Sequence, residues 1–308
     1  MKLSFSMPNM VQARAMVQDW ERAVTGADQT RFAKLADSLG FAMICVPEHH
    51  VIPNAHVALS GSHYFASYPG MAYFAGATSR IKVNSCITIL PLQNPIVSAK
   101  ALTTIDWMSS GRCMVTFAAG WLKEEFDLLG VNFHERGKMC DEYLAAIIEL
   151  WTSSDPQFEG QYVSFKDVAF EPKPVQKPHP PVWIGGDADA VLRRTARHAQ
   201  GWWPFLTKRE DIPARIDFIK SQPDYNGQLR DVFYGLSTGR IGDGHVVTGD
   251  AWGSPNMPKQ EMIDKLGELA KLGVTMSGVA VPTVGSIAEF EDYARWLAEE
   301  IVPGVAGF

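Results

Sequence analysis

The 308-residue chain lacks any run of about 18 consecutive apolar residues, so no membrane-spanning helix is expected. Met1 to Met10 has no apolar signal-peptide core, which points to a cytoplasmic protein. Cysteine is scarce. The four present, Cys45, Cys86, Cys113 and Cys140, form no C-x-x-C pair, which excludes a zinc ribbon or a thioredoxin-type centre. Three of them sit in apolar, strand-like runs, and they read as buried free thiols of a reducing compartment. Positive charge is also short: 28 Lys and Arg stand against 34 Asp and Glu, a net charge of −6. A nucleic-acid partner is therefore not expected, although a local basic pocket for a phosphate is compatible with that balance. No G-x-G-x-x-G follows a strand, and no G-x-S-x-G elbow occurs, which removes the usual signals of a dinucleotide fold and of a serine hydrolase. There is no low-complexity tract.

What the chain has is alternation. Short apolar runs read as strands at Leu3–Met7, Ala42–Val46, Ile81–Ile89, Cys113–Ala118, Val182–Ile184, Gly201–Phe205, Val232–Ser237 and Val274–Val279. Helical patterns separate them. The first starts at Asp28, with Phe32, Leu35, Ala36 and Leu39 on one face. Others cover Tyr68–Thr78, a stretch opened by Asn94–Pro95 and ended by Gly111, His134–Trp151, Ala188–Gln200, Arg209–Lys220 and Pro258–Leu272. Ser286 with Glu289 signals a capping box on the last. Eight strand–helix units predict a (β/α)8 TIM barrel filling residues 1–308 as a single domain. Phe158–Phe170 interrupts the rhythm as a β-hairpin between strands four and five, and a long loop follows strand two.

Barrel active sites lie at the C-terminal ends of the strands. There the chain offers Glu48, His49 and His50 after strand two, Thr88 and Gln93 after strand three, Gly120 and Trp121 after strand four, and Gly185, Gly186 and Asp187 after strand five. Two glycines opening a helix suit an anion at its N-terminus, with Arg193, Arg194 and Arg197 behind them; a tight turn with solvated arginines gives the same pattern. Glu48–His49–His50, with His56 and His63 nearby, invites a metal. Adjacent residues diverge, however, and the ends of strands one and four supply Met7–Pro8–Asn9 and Ala118–Ala119–Gly120 rather than ligands. The residues alone leave two readings of Glu48 and His49: a polar pair on the edge of a ring-shaped ligand, or a charged surface loop. The aromatic loop from Val51 to Pro69 has the length of a lid. It and the Gly-rich segment Gly239–Pro258, with Trp252, are expected to shape a substrate pocket. For Trp121, Trp202 and Trp203, packing under loops is the commoner role.

Several stretches, taken in order, carry a resemblance. They are Val46-Pro47-Glu48-His49-His50-Val51-Ile52-Pro53, Ile89-Leu90-Pro91-Leu92-Gln93-Asn94-Pro95, Ser110-Gly111-Arg112, Gly120-Trp121-Leu122-Lys123-Glu124-Glu125-Phe126, Glu135-Arg136-Gly137, Glu171-Pro172-Lys173-Pro174 and Pro181-Val182-Trp183-Ile184-Gly185-Gly186. The chain resembles the luciferase-like monooxygenase superfamily, and within it the coenzyme F420-dependent oxidoreductases. Beyond about Lys208 the likeness is to the general fold only. The resemblance implies an acid–histidine pair, Glu48 and His49, at the ring of the cofactor and acting in catalysis. It implies a non-prolyl cis peptide in strand three, which falls at Ser85–Cys86 by counting back from Asn94–Pro95, with Thr88 beyond it. It implies a phosphate at Gly185, Gly186 and Asp187, and cofactor contacts at Gly120 and Trp121. Some relatives carry a catalytic glutamate where this chain has Trp121, so His49 is the better general acid or base, histidine being the residue type that titrates near neutrality. The expected cofactor is coenzyme F420, with FMN as the alternative, and the expected activity is hydride transfer to or from a small organic substrate. An FMNH2-dependent monooxygenase, a metal-dependent barrel hydrolase and a flavin-binding relative without activity are the rivals. A homodimer is implied.

Overall fold

Every neighbouring pair of the eight expected strands is joined by parallel backbone pairing in the computed structural model, which describes residues 1–13, 17–236, 240–241, 247–248 and 256–308. Strand one (Lys2–Leu3) meets strand two (Met43–Val46) through a bridge from Phe5 to Ile44. Strand two lies along strand three (Lys82–Ser85), Met43 opposite Lys82 and Val46 opposite Ser85. Strand three resumes at Thr88–Ile89 and joins strand four (Val115–Ala118), with Val83 also bridged to Cys113. Strands five (Val182–Gly185), six (Gly201–Trp203) and seven (Asp231–Val232) follow in order. Strand seven reaches strand eight (Met276–Ser277) through Phe233–Met276 and Leu236–Val279, and strand eight returns to strand one. The circuit closes, so the chain is a (β/α)8 barrel. Its interior holds Met43, Met114, Trp183, Phe233 and Met276, and the larger apolar layer lies between the strands and the outer helices.

Local chemistry explains most boundaries. The first helix is Gly26–Leu39, two residues longer at its start than the apolar spacing suggested. Thr25 is its cap: the Thr25 hydroxyl accepts from Asp28 N at 3.3 Å and the Asp28 carboxylate accepts from Thr25 N at 2.9 Å. Asn94 caps Pro95–Met108 as expected, accepting from the amides of Ile96 and Val97. On the last helix the Ser286 hydroxyl accepts from Glu289 N, while the Glu289 carboxylate reaches Gly285 N instead of the cap amide. The hairpin is present as Phe158–Glu159 against Ser164–Phe165. Glu142 fixes its turn, taking the amides of Gln161, Tyr162 and Val163 at 2.6–2.8 Å.

Three features differ from expectation. The loop after strand two contains a short helix, Asn54–Ser60, and another, Lys123–Leu128, follows strand four. The non-prolyl cis peptide is Cys86–Ile87, one residue later than Ser85–Cys86. The ladder explains the offset, because Cys86 N still donates to Val46 O at 2.8 Å and the break in pairing begins only after it. Of the expected pocket segment Gly239–Pro258, residues 239, 242–246 and 249–255, Trp252 among them, lie outside the described residues. No described helix is long and apolar enough to cross a membrane.

Candidate active site at the barrel mouth

Strand two ends by delivering three polar residues in three directions. The Glu48 carboxylate turns inward and is 5% exposed. One oxygen accepts from Ile89 N at 3.0 Å and from Gln93 Nε2 at 3.3 Å; the other accepts from the Ser67 hydroxyl. Ser67 in turn contacts the Thr88 hydroxyl at 3.2 Å. Glu48 therefore ties strand two to strand three and to the helix Ser67–Ala77. His49 points the other way. Its Nδ1 lies 2.8 Å from Glu125 Oε2, a carboxylate that is fully buried. The second oxygen of Glu125 accepts from His50 N at 2.6 Å and Val51 N at 3.3 Å. His50 reaches Gln93.

Burial alone would raise Glu125. The hydrogen bond and charge of His49 and the two amides outweigh it, and the carboxyl is held below its usual range. An ionised carboxylate accepts, so Nδ1 of His49 carries the hydrogen and donates it to Glu125. Aromatic rings frame this imidazole: Tyr64 at 4.8 Å and Trp121 at 6.0 Å, both edge-on. Trp121 also meets His56 of the helix Asn54–Ser60 at 5.9 Å, and His56 stands 3.6 Å from Glu124.

The adjoining wall, on strand three between strands two and four, is apolar. Cys86 and Ile87 are half-buried. Gly185 is needed there: a Cβ on it would stand 2.5 Å from Ile87 Cδ1. A Cβ on Gly120 would meet Ile89 Cγ2 at 2.7 Å and the Phe126 ring at 2.8 Å, and its φ of +84° is itself a glycine conformation. Arg136 holds the Gly120 carbonyl at 3.1 Å. Ser85 and Thr88 are fully buried, Ser85 being engaged with the Thr116 backbone.

At the other end, Gly186 N donates to Trp203 O at 3.0 Å and Gly186 O accepts from Trp202 Nε1 at 2.9 Å. The Asp187 carboxylate gathers the amides of Phe205, Leu206 and Thr207 and so anchors the loop after strand six. The arginines behind the glycines are committed elsewhere. Arg194 is buried against Asp141 at 2.7 Å, and Arg197 pairs with Asp224 at 2.8 Å. Arg193 lies over the Phe218 ring.

Beside these arginines, burial and then Arg197 push His198 down to about 4. The unfolded chain therefore takes up this proton first as pH falls. The stability tied to neutral His198 is complete above about 6.5 and is lost between there and about 4. His198→Gln is expected to remove about 1–2 kcal/mol of the stability lost between pH 7 and pH 5, read from urea melts at the two pH values. Equal losses in both proteins would refute it.

The structure thus gathers Glu48, His49, Cys86, Gly120, Trp121, Gly185 and Gly186 at one end of the barrel; it adds Glu125 and Tyr64, to which the sequence assigned no role, and it sets His56, there considered only beside a metal, against Trp121. One signal for Glu125 was legible: Leu122, Glu125 and Phe126 have the i, i+3, i+4 spacing of a buried helix face, an odd place for a carboxylate. Among the described residues no three His, Cys, Asp or Glu side chains are grouped as a metal site requires.

The sequence profile described as luciferase-like monooxygenase matches residues 1–232. An FMNH(2)-dependent dimethylsulfone monooxygenase of Pseudomonas putida is 28% identical over 73% of this chain; the match spans 62% of that relative, under two thirds of its length. An uncharacterized protein of Mycobacterium tuberculosis is 32% identical over 79% of this chain and 83% of its own. Among solved structures, an F420-dependent secondary alcohol dehydrogenase superposes with a TM-score of 0.73 at 16% identity, covering 99% of this chain and 98% of that one, a likeness of fold.

Proposed function

We propose that this chain, which belongs to the luciferase-like monooxygenase family, is an oxidoreductase that moves hydride between coenzyme F420 and a small organic substrate. The observation that carries the reading is the His49–Glu125 pair, 2.8 Å apart, at the mouth of a barrel where the strand between them carries the half-buried Cys86–Ile87 segment. The fit to a flat ring is supported by Gly185 and Gly120, where a Cβ would overlap Ile87 or Ile89 and the wall would have to shift. The cofactor, when bound, supplies the hydride chemistry. The protein supplies the rest. Cys86 and Ile87 back the ring, Trp121 and Tyr64 hold the imidazole and keep water from it, and His49 Nε2 gives or takes the proton that accompanies hydride transfer. The helix Asp189–His198 and the Gly185–Gly186 turn are the proposed phosphate end.

A second reading, a reduced-FMN monooxygenase, has its own support. Arg194 and Arg197 are held by Asp141 and Asp224, so neither is spare for an acidic cofactor tail. The Pseudomonas putida relative is FMNH(2)-dependent. Titration of the purified chain with F420 and with FMN, each oxidised and reduced, separates the two. Micromolar binding of F420 with weak FMN binding is expected; the reverse preference, with oxygen uptake on adding FMNH2, replaces the lead by the second reading. Failure to bind either overturns both. A homodimer belongs to the same proposal, since the adjoining helices Ser67–Ala77 and Pro95–Met108 expose Tyr73, Val97, Trp107 and Met108.

A further inference from the structure

We infer that Cys45 and Cys86 form a redox-reactive dithiol on the inner wall of the barrel, closed to a disulfide by hydroperoxides. The inference does not depend on which cofactor the mouth takes. Along a strand, side chains alternate between faces. Met43 belongs to the barrel interior and Cys45 packs against that same interior cluster, so Met43 and Cys45 share the inner face of strand two. On strand three Asn84 stands opposite Cys45, and its amide reaches Thr116 Oγ1 at 2.9 Å and Met43 Sδ at 3.9 Å inside the barrel. Cys86, two residues on, shares that face. The ladder still holds there through Cys86 N to Val46 O at 2.8 Å. Cys86 is thus the diagonal neighbour of Cys45, one step nearer the mouth. Diagonal Cα atoms lie about 7 Å apart, at the outer edge of disulfide reach. The side chains lean into the same interior, and Cys86 is the group that acts most strongly on the Cys45 thiol.

The two sulfurs are not equivalent. Interaction with Cys86, and then burial, push the Cys45 thiol well up, and Cys86 lies one step nearer the mouth, so Cys86 is the sulfur that a hydroperoxide meets first. Neither is fully buried, whereas Cys113 and Cys140 are, and burial raises both of those thiols, Cys140 to about 11. The chemistry balances in two steps. The Cys86 sulfur attacks the terminal oxygen of the hydroperoxide and gives up its proton; the O–O bond breaks, and water or an alcohol leaves with that proton. The product is a sulfenic acid at Cys86. The Cys45 sulfur then attacks the Cys86 sulfur. The S–S bond forms, the S–O bond breaks, and the hydroxyl leaves as water with the Cys45 proton. The two thiols have given two electrons to the peroxide. The bond cross-links the strand that carries Glu48 and His49 to the one that carries Ile87 and Thr88, and thiols reverse it.

The test uses the full chain with hydrogen peroxide, followed by alkylation under denaturing conditions and tryptic mapping without reduction. Arg80 and Lys82 separate the two cysteines into different peptides. The expected result is a linked pair containing Cys45 and Cys86, an intact mass lower by two hydrogens, and recovery of all four alkylated thiols after dithiothreitol. Cys45→Ser is expected to leave a sulfenic acid at Cys86 that dimedone traps. Linkage through Cys113 or Cys140 would overturn the assignment. So would four unmodified cysteines in the wild-type chain at a peroxide dose that oxidises free glutathione. The wild-type map stands whether or not the serine variant folds.

Discussion

Glu125→Gln is expected to lower kcat by about 10²–10⁴-fold while KM changes less than about threefold. The geometry gives the reason. The glutamate accepts from His49 Nδ1 and from the amides of His50 and Val51. A glutamine can keep its carbonyl toward the two amides, but then its NH2 faces Nδ1, where a hydrogen already stands. The imidazole must shift its hydrogen to Nε2 or turn away, and the proton needed at Nε2 during turnover is then wrongly placed. The fold keeps its packing, so substrate binding is largely spared. His49→Ala should cost a similar factor, and the double variant little more than either single one, because the two act as a unit. Near-normal kcat in Glu125→Gln would remove the pair from the chemistry. The acid side gives an independent check. Glu125 is depressed in the folded state, so its contribution to stability is present above the ordinary carboxylate range and lost as pH falls through its folded value. In Glu125→Gln that part of the acid-side loss should be absent.

How much of this was legible in the sequence differs by level. The barrel was, because eight apolar runs and their helices repeat a period that each element needs locally. Closure of the circuit through single bridges, such as Phe5–Ile44 and Val83–Cys113, needed only that order to be right. The glycines were legible for a related reason. Their role is one of missing volume, and Gly120 and Gly185 mark close approaches whatever packs on them. Partner choice was not legible. Glu48 and Glu125 are the same residue type, both acidic and both after a strand, yet one braces strand three and the other orients His49. Only the direction of each side chain in space separates them. The arginines behind Gly186 misled in the same way: sequence put them near a phosphate, but the helix phase turns Arg194 toward Asp141 on the helix Arg136–Thr152. The helix Asn54–Ser60 was hidden because no apolar stripe builds it; its residues are mostly exposed.

Glu48→Ala is expected to destabilise the fold by about 3–5 kcal/mol, the largest stability effect anticipated for a single substitution here. Three donors lose their acceptor at once: Ile89 N, Gln93 Nε2 and the Ser67 hydroxyl. Ile89 and Ser67 are buried, so water cannot replace the carboxylate without a cavity opening. Glu48→Gln is the informative partner. Its carbonyl can keep Ile89 N, and the Ser67 hydroxyl, which can accept as well as donate, can turn to receive the new NH2. About 1 kcal/mol is expected to be lost. The pair of variants then divides the two roles open to this residue. If Glu48 acts by bracing strand three, cofactor affinity in Glu48→Gln stays within about threefold of wild type. If Glu48 touches the ring, as the acid of an acid–histidine pair would, Glu48→Gln loses tenfold or more in affinity while its urea midpoint barely moves. The inward direction of the carboxylate argues for the first outcome. On that outcome His49, oriented by Glu125, is the proposed member of the pair that meets the reacting molecules.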